Sequence, residues 1–78
     1  MNKKTEKLSS KIGTKIKLER AKRGWSQEKL AQFADLNVNS IGTIERGTSS
    51  PSIDTLAQIA LAFGMEVIDL IDIKKVDL

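Results

Sequence analysis

Seventy-eight residues, 40% hydrophobic and 29% charged, make one small globular domain near the lower size for a core without disulfides or metal, and no apolar run approaches the roughly 20 residues of a membrane span. With no cysteine and no histidine, thiol chemistry, imidazole acid–base catalysis and ordinary zinc sites are excluded, most enzymes with them, and no cofactor is expected. The net charge of +3 is segregated: residues 1 to 24 carry nine Lys or Arg against two Glu and the rest is net acidic, a pattern shared by polyanion-binding segments and by lysine-rich solvated helix faces.

The first ten residues, MNKKTEKLSS, are basic but have no apolar stretch or cleavage site behind them, so no secretory signal is expected and the cytoplasm is the expected location. Residues 1 to 7 read as a basic lead-in, 8 to 72 as the core and 73 to 78 as a short tail. A first helix is predicted from Leu8 to Arg23, where Leu8, Ile12 and Ile16 form an i, i+4 stripe that Arg20 continues, and Gly24 closes it. The next three helix starts share one grammar, a capping side chain with an apolar or Pro residue before it and an apolar residue four after it. Ser26 caps helix 2 between Trp25 and Leu30, Asn37 caps helix 3 between Leu36 and Ile41, and Ser52 caps helix 4 between Pro51 and Leu56. Helix 4 carries Ile53, Leu56, Ala57, Ile59, Ala60 and Phe63 and stops at Gly64. Met65 to Ile73 suits a short fifth helix, and Ile73 to Leu78 alternates weakly enough to leave a terminal strand open.

Helices 2 and 3 are joined by only Asp35, Leu36 and the cap Asn37, so they must cross steeply and leave helix 3 protruding, the geometry of a major-groove reader. Ala31, Ile41 and Ile44 supply the small and apolar residues the crossing needs. The outward face is then Val38, Asn39, Gly42, Thr43 and Arg46, small or hydrogen-bonding side chains for the most part.

The strings Ser26-Gln27-Glu28-Lys29-Leu30-Ala31, Ser40-Ile41-Gly42-Thr43-Ile44-Glu45-Arg46-Gly47 and Pro51-Ser52 resemble the phage repressor and Cro family of helix-turn-helix proteins, also called Xre-like, over about residues 12 to 72. The resemblance implies an all-α, compact five-helix, lambda-repressor-like domain with the helix-turn-helix at helices 2 and 3. It implies a transcriptional regulator that binds double-stranded DNA. Gln27 matches a position that binds a phosphate, where the helix N-terminus also favours an anion. Val38, Asn39 and Thr43 match positions that face base edges: Asn39 for adenine, Val38 and the Thr43 methyl for a thymine methyl. Ser40 matches a position between base and backbone contacts. Arg46, Thr48, Ser49 and Ser50 match the segment along the phosphate backbone, and Arg20 with Glu45 matches a partly buried ion pair that orients helix 1 against helix 3.

Three departures stand out. Asp35 replaces the usual Gly of the turn, Gly42 lies inside helix 3, and Glu19 precedes Arg20 where an apolar residue is common, which leaves the place of Leu18 open. Gly42 reads equally as a site of close DNA approach and as a tolerated surface glycine.

One recognition helix reads too few base pairs to single out an operator, so a homodimer on half-sites about 34 Å apart is expected. Val67, Ile68, Leu70, Ile71 and Ile73 are the candidate dimer interface, although a small core needs some of them for its own closure. Restriction-modification controllers, phage repressors and antitoxins all fit this layout, with RNA polymerase or a toxin protein as a conceivable further partner. The competing reading is a protein-interaction module of the antitoxin or coactivator kind; the uncharged outer face of helix 3 favours DNA. A metal cluster of Asp69, Asp72 and Asp77 lacks supporting ligands, and no enzyme is expected.

Overall fold

The computed structural model describes residues 3–74 and 76, and among them there are five helices and no strand: α1 (Lys3–Lys22), α2 (Gln27–Ala34), α3 (Val38–Arg46), α4 (Ile53–Phe63) and α5 (Val67–Leu70). All three predicted caps are made. The side chains of Ser26, Asn37 and Ser52 accept from the backbone N–H groups of Lys29, Asn39 and Thr55, each satisfying one orphan donor of a first turn.

Two boundaries move. α1 starts at Lys3, not Leu8, so residues 3 to 7 of the basic lead-in are helical; Lys and Glu are good helix formers, but the segment has no apolar stripe to announce it. α5 is a single turn. Met65 N–H still donates to the Ala60 carbonyl as part of the exit from α4, and the new turn bonds only from the N–H groups of Asp69 and Leu70 to the Glu66 carbonyl onward. In the tail, Val76 N–H closes a turn on the Ile73 carbonyl at 3.1 Å, so no strand forms at Ile73, Lys74 or Val76; Leu78 lies outside the described residues.

The core gathers one face of each helix: Ile16 from α1, Leu30, Ala31 and Ala34 from α2, Ile41 and Ile44 from α3, Leu56, Ile59, Ala60 and Phe63 from α4, and Leu70 from α5. Leu70 is 0% exposed, which removes it from the candidate dimer interface. It is the residue by which the short α5 is seated.

Glu19 acts on the other side of this core. Buried itself, it accepts from Arg23 Nη1 at 3.0 Å and Lys22 Nζ at 3.2 Å and lies 3.5 Å from Lys15 Nζ. Arg23 then donates Nη2 to the Phe63 carbonyl at 2.9 Å and lies 4.5 Å from the Phe63 ring centroid, clamping the end of α1 to the end of α4. Trp25 fills the same corner, with its ring edge on Phe33 and its face toward Phe63. Leu18 is half-exposed and borders a cleft with Lys15, Glu19, Lys22 and the buried Val76, so the tail covers this flank of α1.

Burial alone raises the Glu19 pKa, but the bonds from Arg23 and Lys22 and the nearby cationic charge outweigh it, and the carboxyl sits below its ordinary 4.5. A lowered folded value means that the group stabilises fully above the ordinary pKa and that this contribution is lost as pH falls through the folded one. The Tm gap between the wild type and Glu19→Gln is therefore expected to be open at neutral pH and to close in acid. A gap that stays constant through the acid range overturns the assignment.

Candidate nucleic-acid interface

The turn between α2 and α3 depends on one left-handed residue. Asp35 sits at φ 57°, ψ 48°, as its short polar side chain permits, and the next N–H, of Leu36, reaches back to the Ala31 carbonyl at 2.9 Å. Leu36 packs on the core and Asn37 caps α3, so the second helix leaves in a fixed direction. Val38, Asn39 and Ser40 are exposed on it and Thr43 is half-exposed, while Ile41 and Ile44 face inward.

Gly42 is not an open surface glycine. It is buried, because the Arg46 guanidinium folds back over it: a Cβ there would stand 3.1 Å from Arg46 Nη1. The missing side chain makes room for Arg46, one helical turn ahead, which lies along the outer face of α3.

Behind the reading face, Glu45 is the hub. Its carboxylate accepts from Arg20 Nε at 2.7 Å and Nη2 at 3.0 Å, a forked pair, and from Gln27 Nε2 at 3.0 Å. Arg20 Nη1 also donates to the Trp25 carbonyl at 2.8 Å. The bond to Glu45 raises the Arg20 pKa against the opposing effect of burial, so the guanidinium is firmly charged. Three helices thus meet on one carboxylate. The Gln27 side chain, expected to address a phosphate, is oriented by Glu45 and keeps a second N–H and its carbonyl oxygen.

The segment after α3 is stitched down by hydroxyls. Thr43 Oγ1 donates to the Ser40 carbonyl and accepts from Ser49 Oγ, and Thr48 Oγ1 donates to the Thr43 carbonyl. The Thr43 hydroxyl is therefore engaged within the protein and its methyl is the group left to offer. Ser50 Oγ pairs with Ser9 Oγ of α1 at 3.1 Å.

Beside this, two glycines bring α1 and the end of α3 into backbone contact. A Cβ on Gly13 would fall on the Ile44 carbonyl oxygen, and one on Gly47, at φ 76°, would stand 2.8 Å from Ser10 Cα. Ser9, Ser10 and Gly13 were not singled out from the sequence; the only available signal was a run of small residues in a helix otherwise rich in long ones.

The candidate dimer surface shifts. Ile68 is 74% exposed, Val67, Ile71 and Ile73 are half-buried, and Leu70 is in the core. The most exposed large apolar side chain lies elsewhere, Leu61 at 81%, and with Ile53 at 67% and the exposed Ala57 it is spaced at i, i+4 and i+8 on the outer face of α4. Asp69 and Asp72 join no group able to hold a metal among the described residues, and Asp77 lies outside them. No described helix is long and apolar enough to cross a membrane.

Comparison with known proteins places this arrangement. A helix-turn-helix family model matches residues 16–70. The chain is 39% identical over 69 residues to control protein C.BamHI of Bacillus amyloliquefaciens, covering 87% of this chain and 85% of that protein. It is 40% identical over 55 residues to the HTH-type transcriptional regulator SutR of Escherichia coli (strain K12), a match that takes in 70% of this chain but 31% of the longer protein. Among solved structures, the restriction-modification controller protein C.AhdI from Aeromonas hydrophila superposes with a TM-score of 0.78 at 31% identity, over 80% of this chain and 94% of that one. The chain belongs to the helix-turn-helix family of phage-repressor and Cro-like, or Xre-like, transcription regulators.

Proposed function

We propose that this protein is a sequence-specific regulator that binds a pseudo-palindromic operator as a homodimer in the cytoplasm and controls its own or a neighbouring operon, in the manner of a restriction-modification controller or a phage-type repressor. The observation that carries this reading is the outer face of α3. Val38, Asn39 and Ser40 are exposed and uncharged, and no bond engages the Asn39 side chain among the described residues. A face built for solvent alone would favour charge. Asn39 pairs with adenine, Val38 and the Thr43 methyl pack on thymine methyls, and Ser40 lies between base and backbone. Gln27, Arg46, Thr48, Ser49 and Ser50 hold phosphates and fix the register.

The test is binding to the duplex upstream of the gene against a scrambled duplex, over a range of salt. Preference for the natural sequence is expected to persist at physiological ionic strength; sequence-independent affinity that vanishes there would sink the reading, since counterion release alone produces it. Asn39→Ala is expected to relax the preference at one base pair per half-site by about 1 to 3 kcal/mol. Equal weakening on every sequence would instead place Asn39 on the backbone.

For the dimer, the stripe of Ile53, Ala57 and Leu61 is the self-complementary surface, joined by the exposed Ile68 and the half-buried Val67, Ile71 and Ile73 of the candidate set. Leu61→Glu puts a charge at its most exposed point, away from the core. Sedimentation velocity is expected to show a folded monomer with the operator affinity of a single half-site. A variant that sediments as the wild-type dimer would move the interface off α4.

A further inference from the structure

Of the five residues assigned to phosphates above, Arg46 is placed unlike the rest. Gln27 opens α2, and Thr48, Ser49 and Ser50 follow α3, whereas the Arg46 side chain runs back along α3 toward its amino-terminal end, the usual direction for a long side chain on a helix. Its terminal fork rests on Gly42. A Cβ at that position would stand 3.1 Å from Nη1 and 3.8 Å from both Cζ and Nη2, and this cover buries Gly42 although Arg46 itself is exposed. Among the described residues no ion pair or side-chain hydrogen bond engages the guanidinium, and it points away from the last carbonyls of α3, the ordinary partners of a cation at a helix end.

Asn39, Gly42, Thr43 and Arg46 stand at i, i+3, i+4 and i+7, one stripe of the helix. Gly42 follows Asn39 by three residues, so the fork lying on it is about 4.5 Å along the axis from Asn39. It therefore sits in the middle of the outward face, between the two residues assigned to bases, and not at the rim where the phosphates run. Guanine presents O6 and N7 side by side in the major groove, two acceptors whose spacing suits a guanidinium fork, and this fork arrives with its donors unused. Any side chain larger than hydrogen at position 42 would occupy the place where it rests.

We propose that Arg46 reads a guanine from a seat on Gly42, and that the half-site carries a G·C pair within about two base pairs of the pair that Asn39 reads, as a 4.5 Å offset against a rise of about 3.4 Å requires. The inference rests on the DNA-binding reading above and moves Arg46 from the phosphate-holding set to the base-reading one, with Gly42 as its positioning residue.

The test uses the full chain and the upstream duplex, with each base pair of a half-site varied in turn. Arg46→Ala is expected to lower the preference for guanine at one position per half-site by about tenfold or more and to leave the preferences at the other positions as they are. Gly42→Ala is expected to weaken the preference at that same position and at no other, with no fall in melting temperature, because alanine favours the helix and its methyl displaces only the tip of a flexible side chain. Circular dichroism confirms that both variants are folded. Equal weakening by Arg46→Ala on every duplex, with the slope of log affinity against log salt flattened by about 2 in a dimer, returns Arg46 to the phosphates and overturns the proposal. So does an Arg46→Ala or a Gly42→Ala variant that reads the half-site as the wild type does. A wild type that does not discriminate between the natural and the scrambled duplex overturns the DNA reading itself, and the guanine contact falls with it.

Discussion

Gly13→Ala is expected to lower the melting temperature by about 8 to 16 °C, although alanine is ordinarily the better helix residue. The methyl group has nowhere to go: it falls on the Ile44 carbonyl oxygen and stands 2.8 Å from that of Glu45. Both are backbone atoms at the end of α3 and cannot swing aside as a lysine tip would. α1 must lift, and lifting strains the Arg20 pair with Glu45 and the Ser9 bond to Ser50. Overpacking of this kind costs about 3 kcal/mol, against about 1 gained in helix propensity, and a domain of this length loses roughly 4 to 8 °C per kcal/mol. Gly64→Ala is the control. That glycine has positive φ but open space around it, so the variant carries only the cost of a left-handed alanine, about 1 to 2 kcal/mol. Thermal unfolding followed by circular dichroism reads both shifts, with Gly13→Ala expected to fall at least as far as Gly64→Ala; a Gly13→Ala variant that melts with the wild type would show that α1 is not seated this closely.

What could be read from the sequence was what local chemistry dictates. Ser26, Asn37 and Ser52 announced their helices because a capping oxygen followed by an apolar residue has few other uses, and Asp35 announced its turn. The Arg20 and Glu45 pair came from family likeness, and its place in the fold agrees. What depended on tertiary packing was hidden. Ile53 reads from the sequence as one more apolar residue of helix 4, yet it and Leu61 lie on the side of α4 that the other helices leave bare. Leu70 looked like interface because the fifth segment is apolar throughout, yet one turn of helix presents one residue inward, and that residue is Leu70. Glu19 read as an anomaly beside Arg20, although Lys15 and Arg23 stand at i−4 and i+4 from it and that spacing alone marks a clustered carboxylate. The Arg46 cover on Gly42 has the same i, i+4 origin, visible only once the two are known to share an outward face.

The pair of Arg20 and Glu45 lets stability and recognition be separated. Arg20→Ala leaves the Glu45 carboxylate, 8% exposed, with Gln27 as its remaining donor. Removing one partner of such a pair costs about 3 to 5 kcal/mol, most of what a domain of this length has, so a fall in melting temperature is expected and DNA binding fails with the fold. Replacing both partners with apolar residues of similar size is a different experiment: Arg20→Met/Glu45→Met removes the charge together with its unmet counterpart, and buried pairs exchanged in this way are commonly neutral or stabilising. The double variant is expected to fold near the wild-type temperature and still bind operator weakly, because Gln27 has lost the acceptor that aims its side chain and Arg20 no longer holds the Trp25 carbonyl at the entrance to α2. Wild-type affinity in the double variant would show that packing alone orients α2 and α3. An Arg20→Ala variant that keeps its melting temperature and loses only affinity would make Arg20 a phosphate ligand, with Glu45 serving to position it.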